Sequence, residues 1–283
     1  MMSILYLILI ILGVSFQNII KKPYSDKTEG RGVYTFSFLT SLAAMAFYAV
    51  TSAGFSLKAE VLVYSLMFAA AFTAATVFTV KAIVVGSLSL TALIVSYSLM
   101  IPTFYGLVFL KEPISPGLLP GIALMLLSIL LTNKKTDEAK INFKWIVYVS
   151  LAAVGNGMCS VVQKMQQVAF DGNFKNEFMM MAMAIAAVIL LVCSLKAERR
   201  DMLFCIKHGW LQGLSCGIAN GAVNMSVMIL SSIMSVSIMF PMISVGGIVL
   251  TYLMSVFYYK ESLNKSQHIG VVLGLISVVF LNI

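Results

Sequence analysis

The chain has 283 residues, 60% of them apolar and only 11% charged, with a formal net charge of +8. A soluble domain carries roughly 25% charged residues, so this composition excludes a soluble enzyme and asks for lipid around most of the surface. The basic residues stand in short clusters between apolar runs, which reads as membrane-flanking charge and argues against a nucleic-acid partner.

In chain order, the apolar stretches predict ten membrane-spanning helices, over 3–21, 34–53, 60–80, 86–110, 117–133, 145–164, 177–195, 209–230, 233–258 and 268–283. Each reaches roughly 25–35 Å at 1.5 Å per residue, enough to cross the hydrocarbon core. The first run has no basic segment before it and no small-residue cleavage site, so it reads as helix 1 and not as a cleaved leader. The runs 61–110 and 209–258 each hold two helices, with turns expected near Val85–Ser87 and Ser231–Ser232. The four cysteines, Cys159, Cys193, Cys205 and Cys216, show no CxxC spacing, and His208 and His268 have no partner motif. Neither a disulfide framework, a metal site nor a cofactor is expected.

The sequence repeats itself. At an offset of 142, Gly13 falls on Gly155, Lys22 on Lys164 and Phe36 on Phe178. At an offset of 149, Lys111-Glu112 falls on Lys260-Glu261, Gly121 on Gly270, Ser128 on Ser277 and Asn133 on Asn282. The extra seven residues are assigned to a long loop from Lys196 to His208. The division expected is a first five-helix repeat over 1–138 and a second over 139–283. An odd number of crossings turns the second copy upside down, which makes the expected fold an all-α membrane protein of two inverted-topology repeats.

The two halves, each with a Lys-Glu pair after its fourth helix and a glycine nine residues later, resemble the drug/metabolite transporter superfamily, and its EamA-type branch in particular. The resemblance covers nearly the whole chain. It implies a secondary carrier with a central cavity lined mainly by helices 1, 3, 4, 6, 8 and 9. Known relatives move amino acids, nucleotide sugars, sugar phosphates, choline-like cations or drugs, and the fold does not choose among them.

Several polar residues stand out inside the spans. Gly155-Asn156-Gly157 lies near the middle of helix 6 and Gly13 in helix 1, and paired glycine interruptions point to a binding site or to close helix packing with Asn156 bonded across. Helix 8 carries Gly213, Gly217 and Gly221 in steps of four, a seam for close approach, beside Asn220 and Asn224. The asparagines either face a substrate or bridge helices. Helix 1 ends with Gln17 and Asn18, then Lys22, the counterpart of Lys164. Each lysine either snorkels to the interface or guards one mouth of the pathway. Ser96, Tyr97 and Ser98 in helix 4 offer hydroxyls, beside a packing or kinking role shared with Pro102 and Pro241. Glu112 and Glu261, just before helices 5 and 10, either satisfy free amides at a helix N-terminus or couple transport to protons.

No Asp or Glu lies in the interior of the ten spans. Four-helix relatives that export cationic drugs use a buried glutamate in helix 1, where this chain has Gln17 and Asn18. Amides, hydroxyls and lysines suit a small neutral, zwitterionic or anionic metabolite, and the alternative is a multidrug or cationic-compound exporter on the same fold. The expected partners are that substrate and the lipid bilayer of the cell membrane. Of the 19 Lys and Arg, 15 fall in the loops after helices 1, 3, 5, 7 and 9. The positive-inside rule then places both termini outside, whereas the resemblance implies termini in the cytoplasm.

Overall fold

The computed structural model describes residues 2–52, 54, 58–85, 91, 94–95, 97–132, 143–253 and 265–281. Among these residues the structure is helical and contains no strand. The helices are α1 (Met2–Lys27), α2 (Val33–Thr51), α3 (Ala59–Val85), α4 (Met100–Val108), α5 (Leu118–Thr132), α6 (Phe143–Ala169), α7 (Lys175–Ala197), α8 (Met202–Ile233), α9 (Val236–Leu253) and α10 (Lys265–Leu281), with a 3-10 turn at Tyr97–Leu99 before α4. Long apolar runs close their backbone hydrogen bonds within one helix, the arrangement lipid demands. Among the described residues, six of these helices, α1, α2, α3, α6, α7 and α8, are long and apolar enough to cross a membrane. The other four are shorter apolar helices.

Several boundaries differ from the sequence expectation, and three of them change how the helices are read. Helix α1 continues through Pro23 to Lys27, where Thr28 Oγ1 donates to Tyr24 O at 2.8 Å and holds the last turn. The expected loop from Lys196 to His208 is mostly helix, because α8 begins at Met202. Cys205 is fully buried there, in a cluster with Tyr24, Phe36 and Cys216, so this stretch packs as a helix face. The turn expected at Ser231–Ser232 falls at Met234–Ser235.

Two compact units divide the chain, one of Met1–Val77 with Val162–Ser232 and the other of Phe78–Val161 with Ile233–Ile283. Each takes residues from both halves of the sequence. In the first unit α8 lies against α2 along its glycine seam. A Cβ at Gly217 would stand 2.5 Å from the Thr40 carbonyl oxygen, and one at Gly221 2.5 Å from Phe47, so only glycine permits this approach. Tyr48, fully buried, donates to Gly221 O at 2.9 Å across the same seam. In the second unit α5 packs on α10, where Ser277 Oγ donates to Gly121 O at 2.8 Å. Gly270 is buried in the same helix.

A carboxylate caps a remote helix in each unit. Glu112 accepts from Val236 N at 3.0 Å and from Ser237 N at 2.9 Å. The helix it serves is therefore α9, not the neighbouring α5 that the sequence suggested. Gly106 makes room for it, since a Cβ there would meet the Glu112 carboxylate at 2.6 Å. In the first unit Glu198 accepts from Tyr34 N and Thr35 N, both at 2.9 Å, and from Thr35 Oγ1 at 2.9 Å. It caps α2, whose N-cap Gly32 is left-handed at φ 74° and offers no side chain of its own. Anionic groups at free helix N–H donors are favourable for both the hydrogen bonds and the dipole. Glu261 lies outside the described residues.

Candidate functional site

Four amide side chains form a continuous chain in the first unit. Gln163 of α6 donates from Nε2 to Asn224 Oδ1 at 2.9 Å, with its nitrogen also 3.9 Å from Met179 Sδ. Asn224 of α8 donates from Nδ2 to Asn220 Oδ1 at 3.1 Å and to the Asn220 backbone carbonyl at 2.9 Å. Asn220 in turn donates to Gln17 Oε1 of α1 at 3.3 Å. Gln17 and Gln163 are buried and the two asparagines half-buried. Three helices supply this chain because Asn220 and Asn224 sit one turn apart on α8 and face both α1 and α6. Nearby, Val223 fills the space in front of Gly13, where a Cβ would lie 2.4 Å from its methyl group.

Lys164, the residue after Gln163, donates to Ser231 O at 2.5 Å. A lysine on the last carbonyls of α8 satisfies an end that the helix leaves open and favours its dipole. Gln166 and Gln167 extend the buried amides toward the end of α6: Gln167 donates to Gln166 Oε1 at 2.5 Å, and Gln166 to Asn173 O at 2.7 Å. Outside the spans, Arg31 between α1 and α2 pairs with Asp201 at 3.0 Å and with Glu29 at 2.5 Å. The hydrogen bond that Arg31 donates to Asp201 raises the guanidinium above its ordinary pKa.

Of the residues singled out in the sequence, Gln17, Asn220 and Asn224 come together. Asn156 does not join them. It lies in the second unit and donates to Ser98 Oγ at 2.6 Å. Helix α6 runs unbroken through Gly155-Asn156-Gly157, which corrects the expected interruption. A Cβ at Gly157 would stand 2.7 Å from the Ser98 carbonyl oxygen and 2.5 Å from Ile101, so this glycine serves close packing. Helix α1 is equally continuous at Gly13. Tyr97 donates to Leu126 O at 3.4 Å. Ser96 and the side chains of Asn18 and Lys22 lie outside the described residues.

Residues 143–283 match the model of the EamA-like transporter family. The chain belongs to that family, within the drug/metabolite transporter superfamily. No curated protein matches the chain. Among solved structures, 29 chains match. One crystal structure aligns with 98% of this chain and 95% of its own at a TM-score of 0.76 and 13% identity, a likeness of fold alone. The EamA fold thus frames the amide chain as a feature of a membrane transporter. Sequence reading overlooked two residues of this frame, Gln163 and Glu198. Gln163 is announced only by the polar run it opens, Gln163-Lys164-x-Gln166-Gln167, in an apolar helix. Glu198 carries no local signal, because the Tyr34 amide it caps lies 164 residues earlier.

Proposed function

We propose that the protein is a secondary transporter of ten membrane spans, arranged as two inverted five-helix repeats, that moves a small polar metabolite across the cell membrane by alternating access. The substrate is neutral, zwitterionic or anionic, and the protein performs no chemistry on it. Family membership supports the transporter class. The Lys-Glu pairs and glycines that recur at offsets of 142 and 149 support the repeat. The observation that carries the substrate reading is the amide chain Gln163–Asn224–Asn220–Gln17. Amides are costly to place within a bilayer unless paired, and those drawn from three helices pair with one another in a chain whose Gln17 end keeps N–H donors for a polar ligand. With side-chain amides and no carboxylate in the chain, the site suits a polar metabolite better than a cationic drug.

The test is counterflow in proteoliposomes, guided by a thermal-shift screen of the purified protein against a metabolite library, because ligands stabilise by mass action. A hit should show saturable uptake, and Asn220→Ala should abolish it in a protein that still inserts and folds. Absence of any saturable flux across the library would reject the carrier reading.

A further inference from the structure

The direction of the amide chain is set at one atom. The Asn220 backbone carbonyl can only accept a hydrogen bond, and it receives the Asn224 side chain at 2.9 Å. The Asn224 nitrogen must therefore face Asn220, and its oxygen must face Gln163, which donates to it at 2.9 Å. Asn220 Oδ1 takes the second hydrogen of Asn224 at 3.1 Å. That leaves the Asn220 nitrogen for Gln17, whose oxygen accepts it at 3.3 Å. Every amide orientation follows from the carbonyl, each side chain having one accepting and one donating end. At the far end the Gln17 Nε2 group is left with its two hydrogens, and among the described residues it has no protein partner.

We infer that the chain ends at Gln17 as a hydrogen-bond donor and that the substrate group docking there is an anionic oxygen, a carboxylate or phosphate. This rests on the carrier reading above and narrows it to one substrate class. Bonds aligned head to tail polarise one another, so the terminal N–H donors are stronger than those of an isolated amide. Lys21 lies one turn beyond Gln17 on the same face of α1, which adds positive charge on that side. Amide donors directed outward repel an ammonium group, whose N–H donors find nothing to accept them. Thus the substrate places its acceptor oxygens, and not an amine, against α1.

Succinate and 1,4-diaminobutane, equal in length and opposite in charge, are the probes, measured by thermal stabilisation and by uptake into proteoliposomes. The wild-type protein should favour succinate. Gln17→Met, neutral and of similar volume, should weaken succinate about tenfold or more without strengthening the diamine. Asn220→Asp goes further. The aspartate accepts from Asn224 and has no hydrogen to give, so the Gln17 amide turns round to donate to it and presents its oxygen outward. The succinate-to-diamine preference should then fall by about tenfold or more. A purely structural role for Gln17 predicts lower thermal stability in Gln17→Met with the preference unchanged, and that result would overturn the inference. So would a wild-type preference for the diamine, or no response to either probe. Saturable counterflow of some other metabolite in that last case leaves the carrier reading standing, and its absence removes both.

Discussion

At the scale of single residues, Asn224 is the hinge of the amide chain, since it accepts from Gln163 and donates twice to Asn220. Asn224→Leu should leave the Gln163 nitrogen and the Asn220 oxygen without partners in a poorly solvated place, at about 1–3 kcal/mol each when buried. The expected outcome is a lower melting temperature in detergent together with lost transport. Asn156→Ala should cost less, because the Ser98 hydroxyl freed by it can turn to a helix carbonyl one turn back. Equal losses in the two variants would show that the amide chain has no special standing. The sequence makes half of this pattern visible. Asn220 and Asn224 are four residues apart in an apolar helix, so a shared face follows from helical geometry alone. Their partners lie 61 and 203 residues away in sequence, and no local pattern specifies which helices meet there. Gly155-Asn156-Gly157 misleads in the opposite direction: glycine weakens a helix in water, but backbone bonds with no water to replace them persist in lipid, and small residues are kept for packing.

At the scale of elements, the glycine seam of α8 and the two carboxylate caps decide how helices meet. A Cβ at Gly217 would press on the α2 backbone itself, 2.5 Å from Thr40 O and 3.1 Å from Ala44 N. A backbone cannot rotate aside as a side chain does, so Gly217→Leu should destabilise by at least about 1–3 kcal/mol, the usual cost of overpacking. Gly247 of α9 is the control, with nothing within 4 Å of an added Cβ. Gly247→Ala should be neutral, or stabilising by up to about 1 kcal/mol through helix propensity. Thermal unfolding of the two variants side by side checks the contrast. For the caps, Glu112→Gln keeps one accepting oxygen for Val236 N and Ser237 N, whereas Glu112→Ala keeps none. The alanine variant should lose about 0.5–2 kcal/mol and the glutamine variant a part of that. The sequence pointed to a helix-capping acid at this position but assigned it to the following helix. A local cap and a remote one share the same residue type, and only the chain path brings α9 to Glu112.

At the scale of the whole molecule, the repeat reading makes a claim about crossings that labelling can decide. Ile114 lies between α4 and α5 and Arg199 between α7 and α8, both exposed. Three helices, α5, α6 and α7, separate them along the chain. Three crossings bring the two positions to opposite faces of the membrane, whereas failure of one of these helices to span brings them to the same face. This bears most on α5, only 15 residues long, about 22 Å at 1.5 Å per residue, short of the roughly 30 Å core unless its flanking residues complete the span. In a background with Cys159, Cys193, Cys205 and Cys216 replaced, Ile114→Cys and Arg199→Cys should react with a membrane-impermeant maleimide from opposite sides. Reaction from one side would remove the inverted repeat and, with it, the basis for alternating access. The same experiment settles orientation. The charge bias along the chain puts Arg199, beside Arg200 and Lys196, in the cytoplasm, so Arg199→Cys should be labelled only after permeabilisation and Ile114→Cys in intact cells. The family resemblance implies the reverse assignment. Positive charge acts during insertion at each short loop, and the excess here is distributed over loops in both halves, so the charge bias is expected to prevail.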